Sequence, residues 1–325
     1  MKIALFGAGR IGKVHAVAIS GNARVDLACV VDPHSPSAQA LAAQYAVPVM
    51  TEAEALADAS IHAVLIGSST DQHARQITAA ASAGKAIFCE KPIDLALDRV
   101  RDVLTHLEAN PVPFMLGFNR RFDPNFMALK AQIDAGAIGE VELVTILSRD
   151  PGLPPLDYIG VSGGLFRDMM IHDFDMARFL VGEEFTSVSA MGSALVDPAV
   201  GRAGDVDTAL ASLKTASGKL VCISNSRRAT YGYDQRIEVH GSKGMLQADN
   251  VRESTVILSN AEGIRLEKPL HFFLERYAAA YANEIDAFAR LVLDGDASAP
   301  GARDGLKALE LAEQALESSL ASRPS

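Results

Sequence analysis

The first ~118 residues alternate short, unbroken apolar runs with longer Ala-rich stretches of helical spacing. The apolar runs at 3–6, 25–31, 63–66, 86–89 and 114–116 read as strands, with a shorter one at 47–49. The stretches 11–20, 37–45, 53–57, 72–83 and 95–108 read as helices. Thr51, with Glu54 three residues on, is a capping-box pattern at a helix start. Strands that alternate with helices predict a parallel sheet covered on both faces, here a Rossmann-type doubly wound α/β domain over 1–120.

Beyond 120 the pattern changes. A helix at 125–135 is followed by a strand at 140–148, a Pro/Gly-rich loop at 150–155 and a helix over 168–181. Strands are then expected at 187–195, 208–214, 219–226, 235–240, 245–248 and 254–258, and helices at 273–293 and 303–319 close the chain. This predicts a second domain, 121–325, of α+β type with a large, mostly antiparallel open sheet.

Composition narrows the function. The 325 residues carry Lys+Arg 30 against Asp+Glu 40, a formal charge of −10, which disfavours contact with phosphate backbones and so nucleic-acid binding. The chain has no Trp, which argues against a surface built on stacking. Cys29, Cys89 and Cys222 lie far apart in apolar segments without a C-x-x-C pair, so they read as reduced core cysteines, not a disulfide framework or zinc site. No apolar run approaches the ~18 residues of a membrane span. The N-terminal run stops at Gly7, with Arg10 and Lys13 following, too short for a signal peptide. These features predict a soluble cytoplasmic protein.

Gly7-Ala8-Gly9-Arg10-Ile11-Gly12 is a G-x-G-x-x-G placed between a strand and a helix, with Asp32 ending the next strand. The glycines allow a tight turn, close approach of backbone to a pyrophosphate, and close helix–strand packing. The helix N-terminus offers N–H groups to the anion. A carboxylate at Asp32 suits the two ribose hydroxyls and repels a 2′-phosphate, so NAD is expected over NADP. Cys89-Glu90-Lys91-Pro92 follows the strand at 86–89, where the carboxyl ends of parallel strands face a ligand crevice. Lys91 can there hydrogen-bond a substrate hydroxyl and stabilise a developing alkoxide. On one continuous helix Asp168, His172 and Asp175 share a stripe, while Met170, Phe174, Ala177 and Val181 face the core. A carboxylate four residues away orients a histidine ring and makes it a better base. The same residues leave room for a metal-dependent hydrolase, and the glycine loop for a non-catalytic NAD-binding sensor.

Together these motifs resemble the Gfo/Idh/MocA family of two-domain oxidoreductases over essentially the whole chain. Its marks are the N-terminal glycine loop, the Glu90-Lys91-Pro92 triplet and the Asp168-x-x-x-His172 segment. The segments GFNRRFDPNF (117–126), FRDMMIHDFDMARFL (166–180) and YGYDQRIEVHGSKGMLQ (231–247) resemble those of inositol 2-dehydrogenases. The family's T-P-x-x-x-H is altered here to Gly67-Ser68-Ser69-Thr70-Asp71-Gln72-His73, with His73 read as structural. The resemblance implies Lys91, Asp168 and His172 as the catalytic set. It implies a cofactor site that adds Ser68, Ser69 and Glu90 to Gly7, Gly9, Arg10, Ile11, Gly12, Asp32 and Lys91. Arg121, Asp175 and Tyr233 become candidates, with the catalytic set, for binding a polyol substrate. It further implies oxidation of myo-inositol, or alternatively of another cyclitol such as scyllo-inositol or of a pyranose sugar, no metal, a homotetramer, and a helix 303–319 that packs back on the first domain.

Overall fold

The unbroken apolar runs become the interior of a parallel sheet. In the computed structural model, which describes residues 1–322, β1 (Lys2–Phe6), β2 (Asp26–Val31), β3 (Ala63–Ile66), β4 (Ala86–Glu90) and β5 (Phe114–Gly117) lie in the order β2-β1-β3-β4-β5. Each neighbouring pair is parallel. All four residues of β3 are fully buried, as a central strand covered on both faces requires. The run at 47–49 forms only an isolated bridge between Val30 and Val49. Pro48 in its centre has no N–H to give to a ladder. Helix Glu52–Ala57 starts on the reciprocal Thr51–Glu54 capping box.

The second sheet is mixed. Strands β6 (Val141–Arg149), β7 (Phe185–Ser193), β8 (Thr208–Thr215), β9 (Leu220–Ser226), β10 (Asp234–Gly241) and β11 (Gly244–Ala248) run in the order β11-β10-β6-β9-β8-β7. β6 and β9 are parallel, and the other neighbours antiparallel. Here the residues alternate: on β8, Ala209, Ala211 and Leu213 are buried while Leu210 is exposed. The same period places Cys222 on the exposed face of β9, so it is not a core cysteine. Cys29 and Cys89 are buried, which pushes the Cys29 thiol up to about 11 and the Cys89 thiol well above its ordinary range.

Three further expected elements differ. The strand expected at 254–258 becomes β12 (Ile257–Asn260), which pairs with β13 (Gly263–Leu266) in an exposed hairpin outside the large sheet. The helix at 273–293 is two, Phe273–Arg276 and Ala278–Asp294. Between them Tyr277 turns its hydroxyl to Gln235 on β10, while buried Arg276 pairs with Asp123. The third difference, at 168–181, shapes the site below.

The chain forms two compact units, Met1–Phe122 with Ala279–Leu309, and Asp123–Ala278 with the residues from Glu310 onward. The sequence pattern places all of 121–325 in one domain, yet helix Ala278–Asp294 seats Tyr281 against His15 and Phe288 against Phe88, edge to face. Helix Ala302–Ala321 begins in the first unit, where Arg121 donates to Asp304 and Gly305 lies against Leu116 and Ile93. It ends in the second, where Arg167 pairs with Glu313.

That apolar contact also buries Glu284 completely, and among the described residues neither carboxylate oxygen has a hydrogen-bond partner. Burial first, and the Glu90 carboxylate second, hold the Glu284 carboxyl well above its ordinary value of 4.5. The folded protein thus binds this proton more tightly than the unfolded chain does. Its stabilisation is complete below the unfolded value and is lost as pH rises toward the folded one. Glu284→Gln should match the wild type below about pH 4 and exceed it increasingly above, by at most about 1.4 kcal/mol per pH unit. Thermal melts across the range, with no widening gap, would refute this.

Candidate active site

Because β1 to β4 are parallel, their carboxyl ends share one edge of the first sheet. Strand order reverses between β1 and β3, which opens the switch point there. Gly7 has φ +102, and a Cβ on it would stand 2.5 Å from the Gly67 oxygen after β3. A Cβ on Gly12 would lie 2.0 Å from the Gly7 oxygen. On Gly9, at the N-terminus of helix Arg10–Ser20, a Cβ would meet nothing within 4 Å. Glycine is therefore dictated by packing at two positions, while the third leaves an open cradle beside the helix N–H groups, Arg10 and Ile11 among them. Asp32 closes the cradle: its Oδ2 accepts from Ala8 N–H at 2.6 Å and its Oδ1 from His34 N–H at 2.7 Å. These residues fit a dinucleotide: the loop and helix N–H groups would hold its pyrophosphate, and Asp32 its ribose.

Further along the same edge, Ser68 donates to Gln76 Oε1 at 2.6 Å, and Ser69 stands at the N-cap position of helix Thr70–Ser82. His73 is buried, with Nδ1 2.7 Å from the Pro92 oxygen and Nε2 3.2 Å from the Ser68 oxygen. It ties the loops after β3 and β4, and burial keeps its ring below the ordinary histidine value. Glu90 is held by His15 Nε2 at 2.6 Å. A Cβ on Gly117 would come within 3.2 Å of the Glu90 carboxyl, so β5 leaves room for it. Lys91 is half-buried, and its peptide bond to Pro92 is cis.

In the second unit, the expected helix over 168–181 is broken. Helix Gly164–Asp168 ends and helix Ile171–Val181 begins, with Met169 and Met170 between. The ladder slips here: Met170 N–H reaches back five residues to the Leu165 oxygen, and Asp173 N–H only three, to Met170. Asp168 therefore does not share a continuous i, i+4, i+7 stripe with His172 and Asp175. The core side is as expected, with Met170, Phe174, Ala177 and Val181 all buried.

Two residues outside the expected set hold Asp168. Tyr158, on helix Leu156–Ser162, donates to its Oδ1 at 3.0 Å. Arg227, just past β9 and 1% exposed, meets its Oδ2 from Nη2 at 3.4 Å. His172 is half-buried, and Asp175 and Tyr233 are buried, Tyr233 edge-on to Tyr277. Arg121 lies in the first unit on Asp304. The expected residues thus divide between the two units, Gly7 to Arg121 in the first and Asp168, His172, Asp175 and Tyr233 in the second. Among the described residues no cluster of three or more His, Cys, Asp or Glu could hold a metal, and no helix is long and apolar enough to cross a membrane.

Comparison with known proteins agrees with this geometry. Residues 1–118 match the oxidoreductase family with an NAD-binding Rossmann fold, and residues 126–247 match the GFO/IDH/MocA C-terminal domain. The chain belongs to the Gfo/Idh/MocA oxidoreductase family. This family member is 55% identical to the inositol 2-dehydrogenase of Rhizobium meliloti, over 98% of this chain and 96% of that one. It superposes on the crystal structure of a myo-inositol dehydrogenase from Corynebacterium glutamicum with TM-score 0.95 and 44% identity, covering 100% and 99% of the two chains. On a scyllo-inositol dehydrogenase from Lactobacillus casei with bound NAD(H) and scyllo-inositol, the TM-score is 0.90 at 31% identity, covering 98% and 96%.

Nothing in local spacing marks Tyr158 or Arg227, which come to Asp168 only in the folded chain. Arg227 is buried but Asp168 is only half-buried, so loss of the guanidinium removes a charge-assisted hydrogen bond without leaving the carboxylate in a dry interior. Arg227→Met should lower stability by about 1.5 kcal/mol and turnover about tenfold or more. Denaturant melts and steady-state kinetics check both; unchanged turnover would show that Arg227 does not support Asp168.

Proposed function

We propose that this Gfo/Idh/MocA protein is an NAD-dependent inositol 2-dehydrogenase that oxidises myo-inositol to 2-keto-myo-inositol. The reading rests on the Asp168–His172 turn, a carboxylate backed by a buried guanidinium and a phenol, four residues before a half-buried imidazole. The relative at 55% identity carries the name inositol 2-dehydrogenase. A second reading, oxidation of scyllo-inositol, is favoured by the scyllo-inositol bound to the Lactobacillus casei protein.

In this reading His172 removes the proton of one secondary hydroxyl. Asp168 orients His172 and stabilises its charged form. Lys91 hydrogen-bonds the reacting oxygen and lowers the energy of the developing alkoxide. Bound NAD would supply the acceptor for the hydride that leaves the same carbon. Asp175, Tyr233 and Arg121 hold neighbouring hydroxyls, and a site of buried polar groups rejects an analogue that leaves one of them unpaired. With no Trp in the chain, the ring is gripped by hydrogen bonds and not by an indole platform.

We also infer a cytoplasmic homotetramer. Its support is the outer face of the second sheet, where Leu143 pairs in register with Leu220, and Met191 with Leu210, all four 40% exposed or more.

Initial rates on myo-inositol, scyllo-inositol and glucose with NAD and NADP test the reading, myo-inositol with NAD being fastest. In single-turnover assays His172→Ala and Lys91→Ala should keep NAD binding but slow hydride transfer on the order of 10²–10⁴-fold. Normal turnover in either would remove its role. Asp32→Ser should improve use of NADP relative to NAD; an unchanged ratio would show that Asp32 does not choose the cofactor.

A further inference from the structure

Asp173 has no place in the catalytic set, yet it is 0% exposed beside His172. Ser148 on β6, Asn225 on β9 and Gln235 on β10 stand in one row across three adjacent strands, since Ser148 is in register with both of the others. All three are at most 1% exposed. Ser148 hydroxyl donates to Asp173 Oδ1 at 2.5 Å, and Asn225 Nδ2 donates to Asp173 Oδ2 at 2.8 Å. The Ser148 oxygen also lies 3.1 Å from Gln235 Oε1, which accepts from the Tyr277 hydroxyl at 3.2 Å. A carboxylate in the first turn of helix Ile171–Val181 thus grips a polar row on the sheet, and its charge suits the helix N-terminus.

We propose that Asp173 is the positioning residue for His172, fixing the rotation and height of the first helical turn on the sheet. Apolar contacts through Met170, Phe174 and Ala177 bury this helix but set its register only loosely, because burial has no direction. Two hydrogen bonds from different strands do have direction. The constraint is needed here because the backbone ladder is interrupted at Met169 and Met170, so the preceding helix does not set the rotation of the turn that carries His172. One residue of slippage would rotate the ring by about 100°. The proposal rests on the reading of His172 as the base.

The chemistry distinguishes geometry from charge. Asn225 Oδ1 has no partner among the described residues, so the amide of Asn225 can turn over and accept from an amide placed at 173. Asp173→Asn therefore keeps the clamp, and Asp173→Ala removes it. In steady-state assays with myo-inositol and NAD, Asp173→Ala should lower kcat about 10–100-fold with KM for NAD unchanged, and Asp173→Asn should recover most of the loss. In a His172→Ala background, Asp173→Ala should cost nothing further. Should Asp173→Ala not fold, Ser148→Ala and Asn225→Ala take its place, each with a smaller loss of kcat. NMR of the His172 ring protons gives a readout apart from activity: they should shift in the Ala variant and return in the Asn variant. Wild-type kcat in Asp173→Ala, or a further loss in the His172→Ala background, would overturn the proposal. Should His172→Ala itself turn over normally, the base reading fails, and an unmoved ring signal in Asp173→Ala would still refute the clamp.

Discussion

A parallel strand can follow its predecessor only after the chain crosses back over the sheet, so every strand of the first unit ends on the same edge. The cofactor half depends on that constraint. It gathers Gly7, Asp32, Ser68 and Lys91, which lie after four different strands, on one edge of the sheet. Close packing then makes the loop selective: the backbone of Gly67 excludes a side chain at 7, the backbone of Gly7 excludes one at 12, and open space remains at 9. The turn after β4 is fastened from behind, by His15 on Glu90 and His73 on the Pro92 oxygen.

The second unit meets a different requirement. Its sheet is covered on one face only, so its residues alternate, and polar groups buried on the covered face need hydrogen-bond partners. That face buries Ser148, Asn225 and Gln235 in a row, with Asp173 over it. The helix phase that brings Asp173 down also opens the ladder at Met170, and Arg227 and Tyr158 reach Asp168 from other elements.

Much of the fold was legible because it is written in short-range pattern. Unbroken runs mark the five parallel strands, period two marks most of the second sheet, and the Thr51–Glu54 box marks a helix start. The failures share a physical cause. Pro48 denies a strand the hydrogen bond that its apolar neighbours would support. The break at Met169 and the turn at Tyr277 follow from side chains that find partners on distant strands, Asp173 on β6 and β9, and Tyr277 on β10. Periodicity sees residues within a few positions of each other and is blind to these.

By itself the sequence determined the glycine cradle, the carboxylate at Asp32, the lysine after β4 and the Asp168–His172 segment, because each is a residue type at a fixed spacing along the chain. Only the tertiary structure decided what surrounds them. Arg227 and Tyr158 on Asp168, the polar row under Asp173 and the buried Glu284 beside Glu90 depend on segments far apart in the chain, and packing alone brings these together.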